Sequence, residues 1–223
     1  MHFQFLIEDP SGEELVKALM EKMQREYPKI TMDCKGFHGL GKLPQKKGNP
    51  KELKTGKLLN DLAVYLDGFN KRFVKVPDYP VAVFVVIDND DNDPAEFMEK
   101  LEGVAKAKNI SIDHVFCLAI EEMEAWLLGD ETALFDAYPN AKRNIYQTYV
   151  QDSICGTWEK LADVVYPGGC AKMKKDNPSY AGIGKIKMEW AIRIGERMDI
   201  GRNVSPSFNR FIEEIRKRAA MRA

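Results

Sequence analysis

The sequence has little of what would point to an oxidised, zinc-bound or membrane-embedded protein. Its four cysteines, Cys34, Cys117, Cys155 and Cys170, form no CxxC pair, and its three histidines, His2, His38 and His114, are just as scattered. Structural zinc motifs need closer spacing, so that class is excluded, and reduced thiols in a cytoplasmic protein are expected. No apolar run approaches a bilayer span, and the N-terminus lacks the layout of a signal peptide, so no membrane partner is expected. Neither sign of charge is in excess. Lys plus Arg number 33 against 34 for Asp plus Glu, a formal net charge of −1. Without a global basic field, any nucleic-acid contact must use a local patch. There is no internal repeat.

What is present is a core. Hydrophobic residues make up 44% of 223, enough for one large domain or a domain with a smaller appendage. The chain is organised around VAVFVVIDNDDNDP, Val81 to Pro94. Val81 to Ile87 are apolar, mostly β-branched and bounded by turn formers, which predicts a strand buried on both faces of a parallel sheet. It runs into Asp88, Asp90, Asp91 and Asp93, and Pro94 suits the first turn of a helix. In open α/β sheets ligands bind beyond the carboxyl ends of the strands. Carboxylates packed at such an edge repel one another unless a cation sits between them, and Mg²⁺ takes oxygen ligands of this kind. The spacing predicts a metal site at Asp88 and Asp90. The competing reading is that these acids cap the next helix and solubilise a turn. A calcium loop from Asp88 through Asp90 and Asn92 to Glu99 is rejected, because Asp93 stands where the loop needs Gly.

Further strands are expected at His2 to Ile7, Ile30 to Cys34 and Val115 to Ile120. Helices are expected from a Ser11–Glu14 capping box to about Tyr27, over Leu58 to Phe69, over Ala95 to Ala107, and from Asp130. The alternation argues for a mainly parallel sheet with helices on both faces. Three strand ends then carry acids: Glu8, Asp88 with Asp90, and Glu122 with Glu124. In a parallel sheet all three lie on one edge, and their convergence makes a metal centre the best single explanation. Residues 139–223 read as a helical C-terminal region packed on an α/β domain of residues 1–138, with helices over Trp158 to Val165, Lys185 to Met198 and Ser207 to Arg218. Its Lys172, Lys174, Lys175 and Lys185 extend a phosphate-facing surface or simply form a solvated face.

Gly36 to Lys57 is a long basic loop carrying Lys42, Lys46, Lys47, Lys51, Lys54 and Lys57. Loops of this length are uncommon without a functional role or disorder. Gly36, Gly41 and Lys42 have the spacing of a phosphate-binding loop, but Leu43 replaces the metal-holding Ser or Thr and Pro44 spoils the helix that should follow. General phosphate contact by this loop is a better expectation than nucleotide binding, with Phe37 and His38 as stacking or phosphate candidates, and a solvated loop with its lysines screened in water is the alternative. Trp126 is expected in the core beneath the acids.

The pieces FLIEDPSGEE, FHGLGKLP, VVIDNDDND, AIEEMEAWLLGD, DSICGTWEKLADVVYPGG and SPSFNRF together resemble domain-of-unknown-function family 4276. That family resembles the TOPRIM (topoisomerase–primase) superfamily and the nuclease domains of the overcoming-lysogenization-defect group. The resemblance implies a TOPRIM-like fold, an ABC-type ATPase encoded nearby as partner, and a role in phage defence. Glu8 and Asp88-Asn89-Asp90 match the superfamily's Glu and Asp-x-Asp, and Glu122 and Glu124 match the family's own Glu-x-Glu before Trp126. The turn EDPSGEE is longer than in many relatives, which leaves the second acid open between Glu13 and Glu14.

The leading expectation is Mg²⁺- or Mn²⁺-dependent cleavage of nucleic acid. Glu8, Asp88 and Asp90 would hold the cation, Glu122 and Glu124 would complete a second site or orient waters, and Glu14 would ligate or only cap. Lys42 would stabilise phosphate charge, and His38, Lys46 and Lys47 would hold the strand. The rival is a non-catalytic partner or sensor subunit of the ATPase. Phosphotransfer through Asp88 is weaker, since the Asp-x-Asp lacks a following Thr or Val.

Overall fold

The computed structural model describes residues 1–44, 55–76, 78–153 and 156–221. Strand β1 (His2–Ile7) is buried along its whole length and lies between two neighbours. It is followed by α1 (Pro10–Glu26), β2 (Thr31–Gly36), α2 (Leu58–Phe73), β3 (Val81–Asp88), α3 (Pro94–Ala107) and β4 (Asp113–Ala119). The strands form one sheet in the order β2-β1-β3-β4, and every neighbouring pair is parallel. The expected parallel α/β sheet is therefore present.

Alternation along the strands explains why helices cover both faces. Phe3, Phe5 and Ile7 of β1 point to one side with Ala82, Phe84 and Val86 of β3. Leu6, Val83, Val85 and Ile87 point to the other, where α2 and α3 supply Leu58, Leu62, Leu66, Phe97 and Leu101. A strand buried on both faces reads as a continuous apolar run, as Val81 to Ile87 does.

The first face is covered by α1 and by the remaining helices: α4 (Glu124–Leu128), α5 (Glu131–Ala137), α6 (Arg143–Tyr146), α7 (Thr157–Val165), α8 (Gly169–Asp176), α9 (Tyr180–Gly195) and α10 (Pro206–Ala220). The helical C-terminal region thus shares one continuous core with the sheet. Phe211 of α10 lies 6.2 Å from the Phe5 ring and 6.1 Å from Phe84. Helix α9 lies along α1 so closely that a Cβ on Gly195 would stand 3.1 Å from Leu15 Cδ1. Trp126 is fully buried as expected, stacked 5.0 Å from Phe211, and its Nε1–H donates to Ser207 Oγ at 2.9 Å.

Several boundaries differ from the sequence reading. The first helix starts at Pro10 with Asp9 as its N-cap, so the expected Ser11–Glu14 capping box does not form. Asp9 Oδ1 accepts the Gly12 N–H at 2.7 Å, and Ser11 Oγ donates to Asp9 Oδ2 at 2.7 Å. Proline at the first position favours this earlier start, because its missing N–H is not needed there. Helix α9 begins at Tyr180 rather than Lys185, capped by Ser179, and Lys172, Lys174 and Lys175 belong to the unforeseen α8. Cys34, Cys117 and Cys170 are free thiols. Among the described residues no helix is long and apolar enough to cross a membrane.

The packing of α10 makes one prediction. Trp126→Ala opens a cavity between α4 and α10 and leaves the Ser207 hydroxyl without its donor. It should cost about 3–5 kcal/mol, read as a lower urea midpoint. An unchanged midpoint would show that this ring does not hold α10 to the sheet.

Candidate metal centre at the carboxyl edge of the sheet

The register of β1 on β3 sets Ile7 opposite Val86, so the residue after β1 arrives beside the end of β3. Glu8 Oε2 accepts the Asp88 backbone N–H at 3.1 Å. Asp88 Oδ1 in turn accepts the Met123 N–H at 2.9 Å, which ties β3 to the segment after β4. The approach is tight: a Cβ on Gly12, in the first turn of α1, would lie 2.6 Å from Met123 Sδ. Glu124, at the start of α4, is buried, and its Oε1 lies 3.2 Å from Nζ of Lys187 in α9. Three strand ends and one helix from the C-terminal region therefore converge.

The turns that bring them together are strained. Asp90 has φ 47° and Glu121 φ 69°, the left-handed region that non-glycine residues rarely adopt. They are neighbours, since the Asp90 N–H donates to the Glu121 carbonyl at 2.9 Å. Such conformations cost about 1–3 kcal/mol each and persist where the surroundings enforce them. Asn89 and Asn92 brace the turn, each side-chain amide donating to the other's carbonyl at 2.7 Å.

Burial, opposed by the Asp88 N–H and reinforced by Asp90 and Asp9, pushes the Glu8 carboxyl up to about 7. Burial and then the Glu8 and Glu124 carboxylates push Asp88 well above the usual range. Glu124 is raised to about 7 by burial, although Lys187 acts against it. Asp90 is raised by burial and by Glu122 and Asp91. Burial works against the Lys187 ammonium, yet Glu124, Asp88, Asp9 and Glu122 together hold its pKa above the ordinary lysine value. Among the described residues the edge thus gathers more carboxyl groups than Lys187, half-buried beside them, can offset.

Other acids have structural employment. Asp93 caps α3, accepting the Ala95 and Glu96 N–H groups at 3.0 and 2.9 Å. Glu122 Oε2 accepts Thr157 Oγ1–H and the Trp158 N–H, both at 2.9 Å, and so caps α7 rather than its own helix. Glu14 is taken by Lys17 at 2.9 Å. Glu13 also pairs with Lys17, at 2.7 Å, and accepts the Gly36 N–H at 2.7 Å, which fixes the end of β2. Neither Glu13 nor Glu14 is drawn to Glu8 or Asp88 by any of these bonds.

The basic loop leaves directly from the site. The Phe37 N–H donates to the Ile7 carbonyl at 2.9 Å and the Gly39 N–H to the Glu8 carbonyl at 3.0 Å. Lys42 is exposed, with its own N–H bound to Asn60 Oδ1 at 2.8 Å. His38 is exposed, and its carbonyl accepts from Lys57 Nζ. Phe37, expected as a stacking platform, is instead 1% exposed and packs edge-on against Tyr65, because β2 delivers it into the core under α2. Lys46 and Lys47 lie outside the described residues.

Whether these side chains suit a divalent cation turns on two observations. Among the described residues no group of three or more His, Cys, Asp or Glu is arranged so as to hold a metal ion. Yet the Oε2 atoms of Glu121 and Glu124 are buried without a hydrogen-bond partner. An all-oxygen set of carboxylates with an orphaned buried oxygen is the donor chemistry of Mg²⁺ or Mn²⁺. Glu8, Asp88 and Glu124 fit such an ion in kind, but the third of them is turned to Lys187.

Sequence reasoning missed Lys187. A signal was available in YAGIGKIKMEWAIRI: Ile183, Lys187, Trp190 and Ile194 lie on one helical stripe, and a lysine on an apolar stripe needs a buried partner.

Fold and site define the class: a parallel α/β protein with carboxylates gathered at the carboxyl edge of its sheet around a half-buried lysine from α9. A family model described as "Domain of unknown function (DUF4276)" matches residues 7–216, and the chain belongs to that family. No curated protein and no solved structure matches it.

Glu8 also predicts a pH dependence. The folded protein keeps the Glu8 proton up to about 7, whereas the unfolded chain releases it near 4.5. Between those values the folded state binds more protons, so this term favours folding below the window and is lost as pH rises through it. The metal-free protein should melt at lower temperature as pH rises across this range, and Glu8→Gln should flatten the slope. A variant profile with the wild-type slope would show that Glu8 is not the group behind it.

Proposed function

We propose that the protein is a divalent-metal-dependent nuclease that hydrolyses phosphodiester bonds, working in the cytoplasm. The observation that carries the reading is the meeting of Glu8 with Asp88, close to the buried and half-unpartnered Glu124, on the edge where α/β sheets bind ligands. Glu8 and Asp88 would hold Mg²⁺ or Mn²⁺, with Asp90 beside them. Such an ion supplies Lewis-acid stabilisation of phosphate charge when bound.

The chain's own groups would do the rest. Asp88 is held in place by the Met123 N–H, and Glu8 is oriented by the Asp88 N–H. Lys42, exposed on the loop that starts at the site, would offset charge developing on the phosphate. His38, Lys46 and Lys47 would contact the strand's phosphates, a binding mode that weakens as salt rises. The resemblance to TOPRIM nucleases of the overcoming-lysogenization-defect group supports this reading and extends it to an ABC-type ATPase partner in phage defence.

A second reading has a specific observation behind it. The Lys187–Glu124 pair and the capping of α7 by Glu122 already occupy two of the acids. A non-catalytic TOPRIM-like subunit, sensing or scaffolding for the ATPase, would use the edge in that way.

Asp88→Asn separates the two readings, since the amide keeps an oxygen for the Met123 N–H but loses the charge. The nuclease reading expects Mn²⁺-supported cleavage of single- or double-stranded DNA or RNA by the wild type. It expects a loss of about 100-fold or more in the variant, the rate equivalent of several kcal/mol of charge stabilisation. A folded Asp88→Asn protein that cleaves as well as the wild type would sink the assignment. A wild type that neither cleaves nor melts higher with Mn²⁺ would favour the non-catalytic subunit.

A further inference from the structure

Lys187 stands inside the acidic edge rather than beside it. Its side chain is 16% exposed, that of Glu124 is 5% exposed, and the two are paired at 3.2 Å. The carboxylates of Asp88, Asp9 and Glu122 also act on the ammonium, and those of Glu8 and Asp90 feel it in turn. Two of these acids are committed elsewhere, Asp9 to the first turn of α1 and Glu122 to the first turn of α7. What remains is Glu8 with Asp88, joined through the Asp88 N–H and with Asp90 acting on Glu8, and Glu124 with Lys187.

Two-metal phosphoryl sites hold their ions about 3.5–4 Å apart and need carboxylates for both. A second divalent ion on Glu124 would share its carboxylate with an ammonium already 3.2 Å from Oε1. Like charges that close, in a buried setting, repel strongly. Nor is the lysine on a loose element. Helix α9 is seated on α1 along its length: Gly195 lies against Leu15, and Lys22 Nζ donates to the Glu196 carbonyl at 2.8 Å. Glu124 Oε2, buried and without a partner, marks a place where a cation would be accepted once the ammonium was gone.

We propose that Lys187 fills the second cation position, so that the centre takes one divalent ion, at Glu8 and Asp88, and Lys187 is the residue that sets this number. The inference rests on the metal reading above and adds to it a fixed stoichiometry and a positioning residue contributed by the C-terminal region. A neutral side chain at 187 would open Glu124 to a second ion, while arginine would keep it closed.

The test is a calorimetric titration of Mn²⁺ into the full chain, with melting temperatures recorded with and without Mn²⁺. One ion per chain is expected for the wild type, one for Lys187→Arg and two for Lys187→Met, with Asp88→Asn losing the wild-type ion. Lys187→Met should also melt lower than the wild type without metal, because Glu124 then lacks its partner, and should gain more from Mn²⁺. Two ions in the wild type, a count that does not depend on any variant folding, would overturn the inference. So would a folded Lys187→Met that still binds one ion with wild-type affinity; the metal reading itself would survive that result. No binding by any of the proteins would remove the metal reading and this inference together.

Discussion

The structure depends on the parallel pairing of β1 with β3. With His2 opposite Val81 and Ile7 opposite Val86, Glu8 must emerge beside Asp88. Both strands are buried on both faces, so a slip by one residue would send every side chain into the opposite core, packed for different neighbours. Core packing thereby enforces an arrangement that electrostatics opposes, because two carboxylates are delivered to one buried edge. The backbone responds with the strained turn at Asp90 and Glu121, and α9 answers with Lys187.

The acids of this edge are not equivalent. Asp9, Asp93 and Glu122 accept helix N–H groups, the ordinary work of a carboxylate at a helix start. Glu8, Asp88 and Glu124 do something else: they face one another, or a lysine, in surroundings that disfavour their charge. Groups whose environment works against their ordinary ionisation gather at functional sites, which is why these three carry the functional argument. The basic loop adds a second sign of charge next to them, since Gly39 is bonded to the Glu8 carbonyl.

The C-terminal helices are part of this arrangement. Phe211 reaches the Phe5 and Phe84 rings across the sheet, Trp126 is clasped by α10, and α9 brings the only cation that the edge is shown to contain among the described residues. Without these helices only α1 would cover that apolar face, and Glu124 would lose its lysine.

Much of the architecture was legible in the sequence. HFQFLI reads as an apolar strand and VAVFVVI as one covered on both sides, and the helical stretches between strands argue for parallel crossovers. Parallel strands share one carboxyl edge, which puts Glu8 and Asp88 on the same side of the sheet, but their nearness needs β1 to pair with β3, which no local pattern shows. Phe37 and Lys187 were misjudged or missed, because burial is decided by what packs from elsewhere. Nothing local shows that β2 turns Phe37 beneath α2, or that Glu122 will cap a helix 35 residues onward. Periodicities of two and 3.6 along the chain already give the strands, their common direction and the acids at their ends. Which of those acids cap helices and which are left facing a lysine from α9 is settled in three dimensions, because those partners lie far apart along the chain and meet when the core closes.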